Sequence, residues 1–207
     1  MKKRIKTLLD IILPSKRINY FIMTTIILGV ISGSIFLMIL SDTDKNLVIE
    51  QITNFFNNIN SINSGLAFKN ALIVNFTYII IIWILGMSML GIIINIFATY
   101  LKGFILGFSI SSLILTYSYK GIMASFIYVI PTQIFNILIT LILGVYSIMF
   151  TIILFRQIFQ KKNISSKLFF KKYLIILLIV SITALISSLS EVFLMPSILK
   201  LVIKLFV

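Results

Sequence analysis

Apolar residues in this chain gather in runs that are too long for a water-soluble core. Tyr20 to Leu40 is apolar with few interruptions, matching the ~20 residues that cross the hydrocarbon of a bilayer. Ala71 to Leu101 is apolar for half as long again. That fits either one long tilted helix or a helix followed by a broken piece, with Gly86 and Gly91 as the natural break points. Lys102 would then return to the cytoplasmic side. Gly103 to Tyr119 is a short span ending at Lys120 and Gly121 outside. Met123 to Phe155 is long again, with Pro131 near one end and Gly144 further along, and Tyr173 to Leu189 is the last span. About five crossings are expected. The alternation of long segments with a short one predicts broken or re-entrant pieces among them.

Three shorter stretches show a one-sided pattern instead. Ile5, Leu8, Leu9, Ile12 and Leu13 share one helical face before Pro14, with basic residues around it, which suits a short helix on an anionic membrane surface. Val48, Ile52, Phe55, Phe56 and Ile59 repeat at helical spacing within the polar connection 41–70, where Gly65 is expected to end the helix. That helix either lies on the outer leaflet or offers a docking surface to another protein. After Pro196 the tail 197–207 is too short to span. Lys200 and Lys204 share one face of it, so an in-plane interfacial helix fits.

Charge orients these elements. Residues 1–17 carry Lys2, Lys3, Arg4, Lys6, Lys16 and Arg17 against Asp10, and residues 156–172 carry six cations and no acid. The connection 41–70 holds Asp42, Asp44 and Glu50 against Lys45 and Lys69. Lysine and arginine collect on the cytoplasmic side of membrane proteins. The expected fold is therefore all-α and polytopic, a single integral membrane domain over residues 1–207. Within it lie a basic amphipathic cytoplasmic tail (1–17), an extracytoplasmic amphipathic loop (41–70), a basic cytoplasmic loop (156–172) and an interfacial tail (197–207). Apolar residues make up 60% of the chain and charged ones 11%, so lipid is its solvent. The net charge of +13 sits at the ends of apolar runs rather than on one face, which argues against nucleic acid as a partner.

Candidate chemistry is sparse. With no Cys and no His, thiol nucleophiles, disulfides and His-ligated zinc are excluded. Asp10, Asp42 and Asp44 fall outside the spans, so no intramembrane aspartate pair forms, and a Ser–Lys dyad would have only Lys102 or Lys120 to draw on. No catalytic, cofactor-binding or metal-ligating residue is expected. A small transporter or channel is the competing reading, because polar residues within spans are costly and usually functional. Asn75, Asn95, Gln133, Asn136 and Glu191 are its candidates, yet single amides also serve as interhelical hydrogen-bond glue. Only Glu191 among them ionises. It is read as a structural group, with Lys200 or Lys102 as its partner.

Several stretches, in order, resemble the stage II sporulation protein M family. Trp83-Ile84-Leu85-Gly86-Met87-Ser88-Met89-Leu90-Gly91 is similar to its W-x-L-G-x-S-x-x-G run, and Leu101-Lys102-Gly103 through Gly107-Phe108 to its L-K-G-x-x-x-G-F run. Pro131 matches a proline of the next apolar segment, although Thr132 and its followers depart from the commoner pattern. Arg156-Gln157-Ile158-Phe159 resembles an R-Q-[LI]-F start to the basic loop, and Glu191 with Pro196 a terminal E-x-x-x-x-P. The resemblance implies a non-enzymatic membrane scaffold of engulfment. Such a scaffold recruits two peptidoglycan-degrading partners, stage II sporulation proteins D and P, to the mother-cell engulfing membrane at the septum. Beyond the lipid bilayer, a second copy of the chain is a further candidate partner. The residues singled out for structural or packing roles are Trp83, Gly86, Ser88, Gly91, Lys102, Gly103, Gly107, Pro131, Glu191 and Pro196.

The charge distribution predicts the topology directly. The chain has no cysteine of its own, so Ser61→Cys should react with a membrane-impermeant thiol reagent in intact cells while Ser165→Cys should not. The reverse labelling pattern would overturn the assigned orientation.

Overall fold

A computed structural model describes residues 15–58, 63–159, 166–194 and Ile198. Among them the chain is helical throughout: α1 (Lys16–Ile39), α2 (Asp42–Asn57), α3 (Ser64–Leu85), α4 (Gly91–Ala124), α5 (Ile130–Phe159) and α6 (Ser166–Leu189). Single wide π-turns, Ser125–Val129 and Ser190–Leu194, follow α4 and α6. The amphipathic segment 1–13, Pro196 and the tail beyond Ile198 lie outside the described residues.

Four continuous helical runs are long and apolar enough to cross a bilayer: Lys16–Ile39, Ser64–Leu85, Gly91–Phe159 and Phe169–Phe193. The third has 69 residues. Straight, it would measure roughly 100 Å, about three times the thickness of the hydrocarbon. It does not stay straight. At Ser118 the backbone takes φ 50° and ψ −124°, the shape of the first central residue of a type II′ turn, and the helix doubles back. Ser125 Oγ comes to 3.5 Å from the Ile110 carbonyl, residues that a straight helix would hold about 22 Å apart. The 69-residue run therefore supplies two antiparallel crossings, and the described residues make five.

The crossings start and stop in places that the apolar pattern misjudges. The stretch 71–101 is not one crossing with Lys102 at its cytoplasmic end. The chain breaks at residues 86–90, α4 starts at Gly91, and Lys102 lies in mid-helix. Glycine makes so tight a break feasible: a Cβ on Gly91 would collide with the Leu85 carbonyl, and one on Gly86 with the Tyr173 and Ser147 hydroxyls. The short span expected at 103–119 is thus the second half of a full crossing, and no half-helix is needed to explain it. Gly65 does not end α2 either. Asn63 caps α3 instead, its Oδ1 accepting from the N–H groups of Gly65 (3.0 Å) and Leu66 (3.3 Å), so α2 closes at Asn57 and Gly65 opens the next helix.

Local chemistry explains the other irregularities. Ser41 caps α2, accepting from the Asp44 N–H at 3.2 Å, and Asp42 and Asp44 in the first turn suit the positive end of the helix dipole. Pro131 has no N–H to donate to the preceding turn, and the π-turn Ser125–Val129 lies just before it. There the Thr132 hydroxyl donates to the carbonyls of Tyr128 (3.0 Å) and Val129 (2.8 Å).

Two seams build the bundle. Along the first, α1 and α4 touch backbone to backbone. A Cβ on Gly29 or Gly33 would strike the carbonyls of Tyr100 or Phe104, and one on Gly103 or Gly107 those of Ile26 or Val30. Ile26 stands opposite Gly103 and Val30 opposite Gly107, so the two helices run parallel. Tyr100 Oη and Ser32 Oγ add a 2.6 Å hydrogen bond across the seam. The second seam packs α3, α5 and α6 around Ile79, Ile82, Leu143, Tyr146, Tyr173 and Val180, all buried. α1, α4 and α6 thus begin at one end of the bundle, where Lys16, Arg17, Lys171 and Lys172 are exposed; this is the basic end.

Gly103→Leu or Gly107→Leu should force α1 and α4 apart, an overpacking penalty on the order of 1–3 kcal/mol. The expected result is a several-fold lower membrane level and a lower Tm in detergent. Gly65→Ala, whose new Cβ would meet only Asn63 Oδ1 at 3.3 Å, should be nearly neutral. Equal behaviour of all three variants in immunoblots and thermal melts would contradict the close-packed seam.

Candidate functional site

Chemistry in a membrane interior is confined to what polar side chains the helices carry inward. Here they form two groups. At the basic end the break between α3 and α4 leaves carbonyls such as those of Trp83 and Gly86 without helical partners, and Gly86 is buried in the bundle. Hydroxyls from α5 and α6 supply the partners. Thr151 Oγ1 donates to Gly86 O at 2.7 Å, Ser147 Oγ to Ile82 O at 3.3 Å, and Tyr173 Oη to Trp83 O at 2.9 Å. Ser88 Oγ donates to Leu85 O at 2.9 Å within the turn. Trp83 lies stacked on Tyr173 with ring centroids 5.6 Å apart. Trp83, Gly86, Ser88 and Gly91 therefore sit in one capped turn.

The second group lies in mid-bundle. Lys102 projects from α4 with its Nζ 4.5 Å from the centre of the Tyr78 ring, a cation–π contact. Tyr78, on α3, faces Thr140 of α5. One turn away on α3, Asn75 Nδ2 donates to Ser188 Oγ of α6 at 3.0 Å. Glu191, one turn past Ser188, is near enough to Lys102 for the two opposite charges to act on each other, without an ion pair between them. Four helices thus meet through one cation, one anion and a set of neutral hydroxyls and amides. Of the two partners expected for Glu191, Lys102 forms no ion pair with it and Lys200 lies outside the described residues.

The remaining candidates are placed as follows. Gly103 and Gly107 belong to the α1–α4 seam. Pro131 stands apart from both polar groups. Asn95 is fully buried and donates to the Gly144 carbonyl at 3.1 Å, tying α4 to α5. Asn136 reaches Gln133 on its own helix at 3.5 Å. Among the described residues no three acidic side chains gather as metal ligands. Tyr78, Thr140, Ser147, Thr151, Tyr173 and Ser188 are the functional side chains that the sequence pattern does not single out. Their hydroxyls look like any others in a serine- and threonine-rich apolar run until the fold shows which carbonyls or amides they face.

At the opposite end α2 lies across the tip of the α4–α5 hairpin. Phe56 is buried there, its ring 5.4 Å from that of Tyr117, and its neighbours include Leu113 and Val129. Beside this contact a groove of about 460 Å3 runs between α2 and the hairpin, walled by Leu47, Ile52, Phe55, Phe108 and Leu113. The apolar face of α2 therefore meets its own chain.

A protein-family model described as SpoIIM, stage II sporulation protein M, matches residues 21–196, which take in all five crossings. Neither a curated protein nor a solved structure matches the chain.

The mid-bundle pair can be tested by a double-mutant cycle. Glu191→Gln leaves the Lys102 charge without its counter-charge, and Lys102→Met does the same to Glu191. Each alone should lower the Tm in detergent, and combining them should restore most of the loss. The expected coupling is on the order of 1–3 kcal/mol. Additive losses in the double variant would show that the two charges act independently.

Proposed function

The chain belongs to the stage II sporulation protein M family, and from that premise we propose that this multi-pass membrane protein of sporulation is a non-enzymatic scaffold. It recruits peptidoglycan-degrading enzymes to the membrane that engulfs the forespore, and its partners are stage II sporulation proteins D and P. The observation that carries this reading is how the intramembrane polar groups are used. Thr151, Ser147 and Tyr173 are committed to carbonyls at the α3–α4 break, Asn75 to Ser188, Asn95 to the Gly144 carbonyl, and Lys102 to the Tyr78 ring. Groups used in this way fix helices against one another. They suit a rigid platform that positions other proteins better than a centre that turns over a substrate.

The placement of α2 supports the same reading. By the charge rule it lies on the extracytoplasmic side, where peptidoglycan is, and Phe56 anchors it to the hairpin so that its charged face is presented in a fixed orientation. Hydrolysis on this view belongs wholly to the recruited enzymes.

Tagged chain solubilised from sporulating cells should co-purify with proteins D and P. Cells lacking the chain should fail to concentrate either enzyme at the septal membrane and should stall in engulfment. Wild-type septal levels of both enzymes in those cells would sink the scaffold reading.

A further inference from the structure

The run Arg156-Gln157-Ile158-Phe159 has no role in the bundle's packing seams, and the structure gives its arginine a setting. At the basic end the start of α4 and the last turns of α5 diverge and enclose a cavity of about 380 Å3. Met89, Ile92, Ile152 and Phe155 wall it, Thr151 lies against it, and Arg156 stands at its rim. Thr151 is occupied by the Gly86 carbonyl, so among the described residues the cavity presents apolar walls and the Arg156 cation. Met89 and Phe155 are 40% and 45% exposed, so the walls continue outward to where lipid tails lie.

We propose that this cavity binds an anionic phospholipid, its phosphate on the Arg156 guanidinium and the upper part of an acyl chain along Ile92, Ile152 and Phe155. Charge complementarity selects this ligand. Of the four carboxylates among the described residues, Asp42, Asp44 and Glu50 lie at the opposite end of the bundle and Glu191 in its middle, so none stands at this end. Lys16, Arg17, Lys171 and Lys172 are exposed at the same end as Arg156. Basic pockets between membrane helices on the cytoplasmic side take anionic headgroups, and a guanidinium holds a phosphate through two parallel hydrogen bonds. The first turn of α4 adds a field of the same sign. A free inorganic phosphate would leave the apolar walls unfilled, whereas a phospholipid satisfies both halves of the site.

The plainer account is that Arg156 merely marks the cytoplasmic side, as any cation would. The two accounts separate in a lipid-retention measurement that needs no sporulating cells and is independent of the scaffold reading. The purified full chain is reconstituted into vesicles of equal parts phosphatidylglycerol and phosphatidylcholine and re-extracted in mild detergent, and retained lipid is counted by native mass spectrometry. Wild type should retain phosphatidylglycerol in preference. Arg156→Gln should lower that preference about tenfold, the loss of one charge-assisted contact. Ile92→Trp fills the cavity with every charge kept and should lower retention comparably; Met89→Trp serves if that variant fails to fold. Lys172→Gln removes a charge of the same end outside the cavity and should leave the preference intact. If Lys172→Gln matches Arg156→Gln, or if neither filling variant has any effect, the attraction is diffuse and the site does not exist.

Discussion

The contact on which the rest of the bundle depends is the backbone-to-backbone approach of α1 and α4. Lipid tails are as apolar as leucine, so no hydrophobic force draws two helices together inside a bilayer, and association rests on close packing and hydrogen bonds. Gly29, Gly33, Gly103 and Gly107 supply the closeness, since each faces a carbonyl of the other helix where a Cβ would collide. The seam also fixes direction. Because Ile26 stands opposite Gly103 and Val30 opposite Gly107, α4 must run the same way as α1. The chain can arrive there only by crossing once in between, which is what α3 does.

That requirement creates the break at residues 86–90, and the break creates a second requirement. A break leaves carbonyls that its own helix no longer bonds, and inside a bundle other helices must answer them. α5 and α6 do, through Ser147, Thr151 and Tyr173. The two seams are thereby coupled: glycines set where α4 lies, and hydroxyls on its neighbours seal the turn that leads into it. Lys102 extends the same logic to charge, its ammonium resting on the ring of Tyr78 from a neighbouring helix.

Much of this was legible in the amino-acid sequence. The lengths of the apolar runs gave five crossings, the glycines at 86 and 91 marked the break, and two of the runs that carry the family resemblance, 83–91 and 101–108, fall at that break and on the α1–α4 seam. The errors come from partners distant in the chain at Lys102 and from a local cap at Gly65. Lys102 looks interfacial because a lone lysine in hydrocarbon is costly. Its tyrosine is on another helix and its counter-charge, Glu191, lies at the far end of the sequence. Gly65 looks like a helix end until Asn63 is recognised as a cap, a local signal that was present and outweighed. The reversal at Ser118 carries no glycine or proline of its own, so no turn residue announces it; only Gly121, tucked against the Leu113 carbonyl, hints at how closely the two limbs lie.

The parallel register of α1 and α4 has a consequence for biogenesis. A chain is threaded into the membrane from its N-terminus, and α1 is inserted well before Gly103 and Gly107 have been synthesised. Its partner reaches the correct orientation only after α3 has crossed in the opposite sense and the turn at 86–90 has closed. Until then Gly29 and Gly33 face lipid, exposing a strip of bare backbone that no leucine-like surface covers. Assembly of this bundle is therefore necessarily two-stage: insertion of independent helices comes first, and the seam that defines the fold forms only when the fourth helix arrives.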